Sequence, residues 1–191
     1  MHQPVSRLAL AAAVSLVAGA ALAAPAPSWT VDAANSKLGF RGAVNGDAFY
    51  GMFRRWTAQI AFDPKNLAGS KAVVGIDVAS AFTGDADRDK SLPEPDWFSA
   101  KTQPRASFVT NVIKDLGGGR YEADGDLTLR GVKRPLALPF TLAISGDTAR
   151  MNGSAVINRT AFGVGQGQWK TGDVVATEVT VTVSLTAHKA H

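Results

Sequence analysis

Hydrophobic and polar positions alternate along most of this chain with a period of two, the mark of strands that bury one face. The clearest case runs from Tyr121 to Ile144. Tyr121, Ala123, Gly125, Leu127 and Leu129 share one face, with Glu122, Asp124, Asp126, Thr128 and Arg130 on the other. Leu136, Leu138, Phe140, Leu142 and Ile144 repeat the pattern, backed by Ala137, Pro139, Thr141, Ala143 and Ser145. Gly131-Val132-Lys133-Arg134 between the two runs reads as a hairpin end. So many large apolar side chains on one strand face require a deep apolar interior.

The same alternation recurs from end to end. Trp29-Thr30-Val31-Asp32 opens, and Leu38, Phe40, Gly42 and Val44 follow on alternate positions. Gly46 and Gly51 bracket a predicted turn carrying Phe49 and Tyr50. Trp56, Ala58, Ile60 and Phe62 then alternate until Asp63-Pro64 ends the strand. Further strands are predicted at Val74–Val78, Ala106–Val112 and Met151–Ile157, and the longest has Val175, Thr177, Val179, Val181, Val183 and Leu185 on one face. About nine short strands separated by Gly, Asp, Asn and Pro make an all-β sandwich or barrel. One stretch departs from this. Residues 84–101 are polar and acidic, with room for a short helix that Asp85 or Asp87 caps and Pro93 stops. Lying between two strands, that segment is expected to cross one edge or end of the sheet as a lid or plug.

The front of the chain has a different character. Arg7, the apolar run Leu8–Ala20 and the Ala21-Leu22-Ala23 pattern predict a secretory signal peptide over residues 1–23, cleaved after Ala23. The apolar run is shorter than the roughly 20 residues a spanning helix needs. An exported, periplasmic protein is expected, with one domain over 24–191 and its core at 28–187. Composition supports a single domain with a substantial core. Formal net charge is +4, and loss of Arg7 with the signal lowers it by one. The cationic pairs Lys133-Arg134 and Arg54-Arg55 are short and scattered, so no nucleic-acid stripe is predicted.

Candidate chemistry is mostly excluded. There is no Cys, hence no disulfide and no thiolate. His2 lies in the signal, and His188 and His191 lie in the last four residues, where a frayed terminus is expected. The core therefore has no Ser-His-Asp triad and no His-based metal cage. Asp85-Ala86-Asp87-Arg88-Asp89 imitates the start of a calcium loop but has Lys90 where the loop needs Gly. Gly163-Val164-Gly165-Gln166-Gly167 resembles a phosphate cradle only superficially, since no helix follows it. It reads instead as a strand connection that permits close approach of backbone to a ligand or to Trp169. Carboxylates for hydrolysis exist between Asp85 and Asp96, yet nothing pairs two of them in a pocket. No catalytic residue and no metal ligand is assigned, and a non-enzymatic protein is expected.

With those residues in view, the chain resembles the YceI-like family of exported lipid-binding proteins from Trp29 to Ala187. The resemblance rests on Trp29-x-Val31-Asp32, Asn35-Ser36-x-Leu38-x-Phe40, Gly51-x-Phe53, Ile60-x-Phe62-Asp63-Pro64 and Ser80 through Thr83-Gly84. It continues through Asp89, Leu92, Trp97-Phe98 and Pro104-x-Ala106-x-Phe108 to Gly125-Asp126-Leu127-Thr128-Leu129-Arg130-Gly131-Val132. Arg159 followed by Phe162-Gly163-Val164-Gly165-Gln166-Gly167-x-Trp169 is similar to a subgroup found beside b-type membrane cytochromes. Many members carry a His after the second strand, where this chain has Asn45 or Gly46, so no role for that His transfers.

The resemblance implies a lipocalin-like, extended antiparallel β-barrel of about eight strands around an apolar channel, with a short helical segment around 84–98. It also implies a polyisoprenoid or similar lipid, such as an isoprenoid quinone or fatty-acid derivative, as ligand, and no other cofactor. Phe40, Val44, Phe62, Ile76, Phe108, Leu127, Leu138, Phe140 and Val181 are the candidate channel wall. Arg88, Trp97, Phe98, Arg159, Phe162 and Trp169 are the candidate channel mouth, with Arg88, Lys90 or Arg159 toward a head group. A membrane b-type cytochrome, reached through Arg54-Arg55-Trp56 or the Trp169 loop, and a second copy of the chain are the candidate protein partners.

Overall fold

The computed structural model describes residues 25–190, so the predicted signal peptide lies outside the described residues. The strands are β1 (Ser28–Val31), β2 (Lys37–Val44), β3 (Asp47–Phe53), β4 (Trp56–Ala61), β5 (Lys71–Asp77), β6 (Ala81–Phe82), β7 (Arg105–Gly117), β8 (Arg120–Leu129), β9 (Val132–Ser145), β10 (Thr148–Asn158) and β11 (Glu178–Lys189). Antiparallel pairing closes eight of them into a ring, in the order β1-β4-β5-β7-β8-β9-β10-β11 and back to β1. β2 lies beside β11 and pairs with β3, which takes β6 on its outer edge. The all-β barrel is the fold, and its inner face carries the predicted alternation: Tyr121, Ala123, Gly125, Leu127 and Leu129 are all buried while their neighbours are not.

Two short devices bend the hairpin that closes the ring. Asp32 accepts from the backbone N–H of Ala34 and Asn35 at 3.0 and 3.2 Å, capping a 3-10 turn that separates β1 from β2. Ser36 then exchanges hydrogen bonds with Thr186, its hydroxyl donating to the carbonyl and accepting from the N–H. On the opposite arm, buried Ser80 takes both Arg54 N–H, on its carbonyl, and Arg55 N–H, on its hydroxyl at 2.9 Å. Its hydroxyl also donates to Asp77 O at 2.7 Å, so the chain turns between β3 and β4. As a result β1 meets β4 only at Ser28–Ala61 and Trp29–Ile60, and β2 meets β3 only from Gly39–Met52 to the hairpin tip. Between those contacts the ladder is interrupted.

The structure corrects several expectations. The β8–β9 turn is Arg130-Gly131, with positive φ of 51° and 75°, and Val132, Lys133 and Arg134 belong to β9. That geometry is the mirror-image two-residue turn that twists with the strands. Asn45-Gly46 forms the β2–β3 turn in the same way, so Phe49 and Tyr50 sit in a strand and not at a tip. In β7 the register slips between Thr110 and Val112. The bulge turns Val112 outward and brings Ile113 into the core. Val175 and Thr177 precede β11, Val175 making only an isolated bridge to Val44. His188 is not on a frayed tail: it pairs with Thr30 and Thr148 inside the ladder.

The 84–98 segment does form a helix, α1 (Ala86–Ser91), capped by Asp85, whose side chain accepts from Arg88 N–H at 2.9 Å. With the loop after it, α1 closes one end of the barrel. Asp96 O accepts from Gly165 and Gln166 N–H, each at 2.8 Å, and Arg130 donates to Pro95 O at 2.7 Å. The first two bonds tie the segment to the loop that follows β10, and the third ties it to the β8–β9 turn.

Candidate ligand-binding site

The ring encloses a cavity of about 260 Å3 whose exposed lining is apolar. It runs the length of the barrel, from Trp29, Phe62 and Phe140 at one end to Leu92, Trp97 and Phe98 at the other. The side chains facing it are inward yet not tightly packed. Leu136, Leu138, Phe140 and Leu142 on β9, and Val179, Val181, Val183 and Leu185 on β11, all keep partial exposure inside a closed ring. Val78 is the one large side chain with less than 2% exposure among the described residues. Ordinary interiors are close-packed; this one is lined.

Aromatic groups close both ends. At one, the rings of Phe62 and Tyr121 meet edge to face at 5.6 Å, and Tyr121 stacks on Phe140 at 5.5 Å. Trp29 donates from Nε1 to Phe62 O at 3.0 Å and locks β1 over that end. Burial, aided by the charge of Asp115, pushes the Tyr121 hydroxyl above its ordinary pKa. At the other end Phe40, Phe53 and Phe98 form a chain of rings 5.3 and 5.8 Å apart, under Trp97, which packs on Trp169 at 5.7 Å.

Of the residues singled out from sequence, Phe40, Phe62, Ile76, Phe108, Leu127, Leu138, Phe140 and Val181 all line this one cavity, as do Trp97, Phe98 and Arg159. Four do not. Val44 bridges to Val175 at the barrel rim. Arg88 lies over the ring of Phe49, 4.1 Å from its centre, and only Phe49 reaches the cavity. Phe162 is buried in a 3-10 turn and Trp169 backs Trp97 from outside. Phe53, Trp56, Val179, Val183 and Leu185 also line the cavity. The alternation in Trp56–Phe62 and in β11 carried the signal for most of them.

Arg159 lines the cavity without offering it a free cation. It is 3% exposed, and its guanidinium donates to four backbone carbonyls: Ala176 and Val164 at 2.9 and 2.8 Å, and Trp169 and Val175 at 2.6 Å each. Burial lowers its pKa, and the carbonyls take the place of a carboxylate partner. The glycine-rich loop exists for this contact. Gly165 has φ of 81°, and a Cβ there would run into the Arg159 guanidinium. The close backbone approach therefore serves Arg159. Arg159 also sits 5.4 Å from the Trp97 ring, joining the loop to the end-closing segment.

The acidic cluster is similarly committed to structure. Asp89 accepts from Thr83 N–H and Oγ1–H at 2.6 and 2.7 Å and from Gly84 N–H at 3.2 Å. Burial opposes its charge, but these bonds prevail and hold its carboxyl below the ordinary range. Among the described residues no three His, Asp or Glu side chains converge on a metal-sized space.

Comparison with known proteins places this architecture. BcnA of Burkholderia cenocepacia superposes with a TM-score of 0.79 at 38% identity, over 82% of this chain and 98% of that one. A polyisoprenoid binding domain from Saccharophagus degradans, implicated in plant cell wall breakdown, shares the fold at 18% identity and a TM-score of 0.68, over 86% and 99% of the two chains. A UPF0312 protein of Pseudomonas savastanoi pv. phaseolicola is 32% identical over 121 residues, which are 60% of this chain and 63% of that relative's length. The YceI-like domain matches residues 29–187, from the Trp29 that locks the ring to the Ala187 that pairs with β1. The chain belongs to the YceI-like domain family.

Proposed function

We propose that this protein is an exported, periplasmic carrier that holds a long-chain lipid inside its barrel, without turnover. The ligand class is a polyisoprenoid or a similar chain, such as an isoprenoid quinone or fatty-acid derivative. The observation that carries the reading is the lined but unfilled apolar interior of about 260 Å3. That volume lies just under the roughly 300–1,000 Å3 of ordinary ligand pockets, which suits a slim chain better than a compact ring system. Burial contributes roughly 0.8 kcal/mol per CH2, so about ten enclosed carbons supply about 8 kcal/mol, offset in part by the cost of association. Such binding needs no catalytic or metal group. The likeness to the polyisoprenoid binding domain of Saccharophagus degradans supports the same class.

An interior filled by side chains would have favoured an accessory protein docking on a membrane b-type cytochrome through Arg54-Arg55-Trp56 or the Trp169 loop. The cavity favours the carrier. Native mass spectrometry of protein purified from its own host tests it, and we expect a single lipid per chain. Protein that is lipid-free from its host, and that also fails to bind long isoprenoids in solution, overturns the reading.

A further inference from the structure

A lipid with a charged head cannot draw that head through an apolar channel, because desolvating an ion costs far more than the tail returns. The barrel must therefore admit the tail while the head stays in water. The two ends are poorly suited to this. One is held by the Asp96, Arg130 and Arg159 hydrogen bonds and the Trp97–Trp169 contact. The other is held by the Phe62–Tyr121–Phe140 rings and the Trp29 bond. Along most of the wall, separating strands means breaking ladder hydrogen bonds.

The bent hairpin is different. No ladder pair joins Thr30–Leu38 to Phe53–Gln59. An outer cleft lies over this interruption, and Trp29, Leu38, Phe53, Trp56, Ala58 and Ile60 line both the cleft and the internal cavity. Those six residues border both spaces, and Trp56, Phe53 and Ile60 are only half-buried. The bend is built in by the Asp32 cap and by Ser80, so it is a property of the backbone. The cleft is also cationic. Lys37, Arg54, Arg55 and Arg105 line it, with Asp77 as the one carboxylate in its lining. Asp77 pairs with Arg55 at 2.9 Å and stands opposite Arg105 in the ladder. Arg54 is turned aside over the ring of Phe82, 3.4 Å from its centre. Lys37 and Arg105 have no ion pair among the described residues.

We propose that this interruption is a lateral portal, and that Lys37, Arg55 and Arg105 hold the anionic head group of the lipid whose tail lies in the barrel. The head is a phosphate, pyrophosphate or carboxylate, and Trp56 is the side chain that must swing for the tail to pass. The proposal rests on the lipid-carrier reading. The β9–β10 ladder has a second interruption above Phe140–Gly153, next to Pro139 and Pro135, which lack N–H donors. There, however, Arg134 donates across the opening to Ala161 O at 3.2 Å.

The natural absence of Cys makes the test clean. Lys37→Cys and Thr57→Cys, on opposite sides of the cleft, are bridged by a short bis-maleimide in the full chain. Uptake of a long-chain isoprenyl phosphate and of the matching isoprenyl alcohol is followed by tryptophan fluorescence. Bridging should slow uptake of both at least tenfold relative to the unbridged double variant, while lipid loaded before bridging stays bound. In a second arm, Lys37→Gln/Arg55→Gln/Arg105→Gln should weaken the phosphate at least tenfold and leave the alcohol within twofold. Unchanged uptake after bridging overturns the portal and directs attention to the β9–β10 interruption. Equal weakening of phosphate and alcohol overturns the head-group site. If the unmodified protein takes up neither ligand, the carrier reading fails and the portal falls with it.

Discussion

Arg159 shows how one residue can look functional from sequence and be structural in the fold. The family resemblance put it among the candidate head-group contacts, but four carbonyls already occupy the guanidinium. Sequence offered no way to see this, because the carbonyls come from a stretch without regular structure. Its replacement should therefore act on stability. Arg159→Lys keeps the charge but loses the planar fork and cannot reach four acceptors, leaving buried carbonyls unpaired. We expect a loss of roughly 3 kcal/mol, or about 6–12 °C in Tm for a domain of this size. Thermal unfolding followed by circular dichroism checks it, and an unchanged Tm would refute the bracing role. Asp89 is the second case. Its folded carboxyl titrates below its ordinary value, because the Thr83 and Gly84 hydrogen bonds outweigh burial. A depressed carboxyl adds stability above its unfolded pKa of about 3.9, and that stability drains away as pH falls through the folded value. Asp89→Asn should thus destabilise the protein near neutral pH and flatten its acid limb below about pH 4. Denaturant titrations at several pH values measure both effects, and parallel curves for the two proteins would contradict the assignment.

At the scale of elements, the glycines of the inner face explain how so many aromatic rings fit in a narrow ring of strands. Gly42 faces Phe49 and Gly51 faces Phe40 across the β2–β3 ladder, and each phenyl ring lies over the partner glycine. Gly125 on β8 accepts the ring of Phe108 in the same way, and a Cβ there would stand 2.8 Å from that ring and collide with Val109 O. A side chain at Gly51 meets only a ring that can turn. One at Gly125 meets backbone as well, which cannot. Gly125→Ala should therefore cost the fold more than Gly51→Ala, about 2–3 against 1 kcal/mol, with Gly51→Ala driving Phe40 into the lumen and lowering lipid capacity. Urea unfolding and lipid titration of the two variants distinguish these outcomes, and the reverse ranking would sink the argument. Strand existence and inward faces were legible because period-two alternation is local. The β7 bulge was not, since Thr110 to Val112 continues the alternation smoothly and only pairing with β8 displaces it. The turn at Arg130-Gly131 was shifted for a similar reason: a two-residue turn leaves Val132–Arg134 free to pair, and the charges of Lys133 and Arg134 concealed that.

The whole molecule adds what no local pattern contains. Alternation tells which face of a strand points inward; it does not tell whether opposite faces meet. That depends on how many strands close and how they tilt, and here eight strands hold their inner side chains apart. The resemblance to YceI-like proteins supplied the ring, while the interrupted hairpin, built by Asp32, Ser36 and Ser80, became visible only when β1, β4 and β11 were brought together. A lined interior has a thermodynamic consequence. Unfilled apolar space forfeits dispersion contacts that a close-packed core would make, so an occupant should stabilise the folded barrel and not the unfolded chain. At free lipid about 100-fold above Kd the gain is about 2.7 kcal/mol, equivalent to roughly 5–11 °C in Tm. Calorimetry of delipidated and lipid-loaded protein should show that difference. Ala155→Leu, which fills lumen without adding charge, should keep the delipidated Tm within a few degrees and abolish most of the shift. A delipidated protein as stable as the loaded one, or an Ala155→Leu variant that retains the full shift, would mean that the cavity is not where the lipid resides.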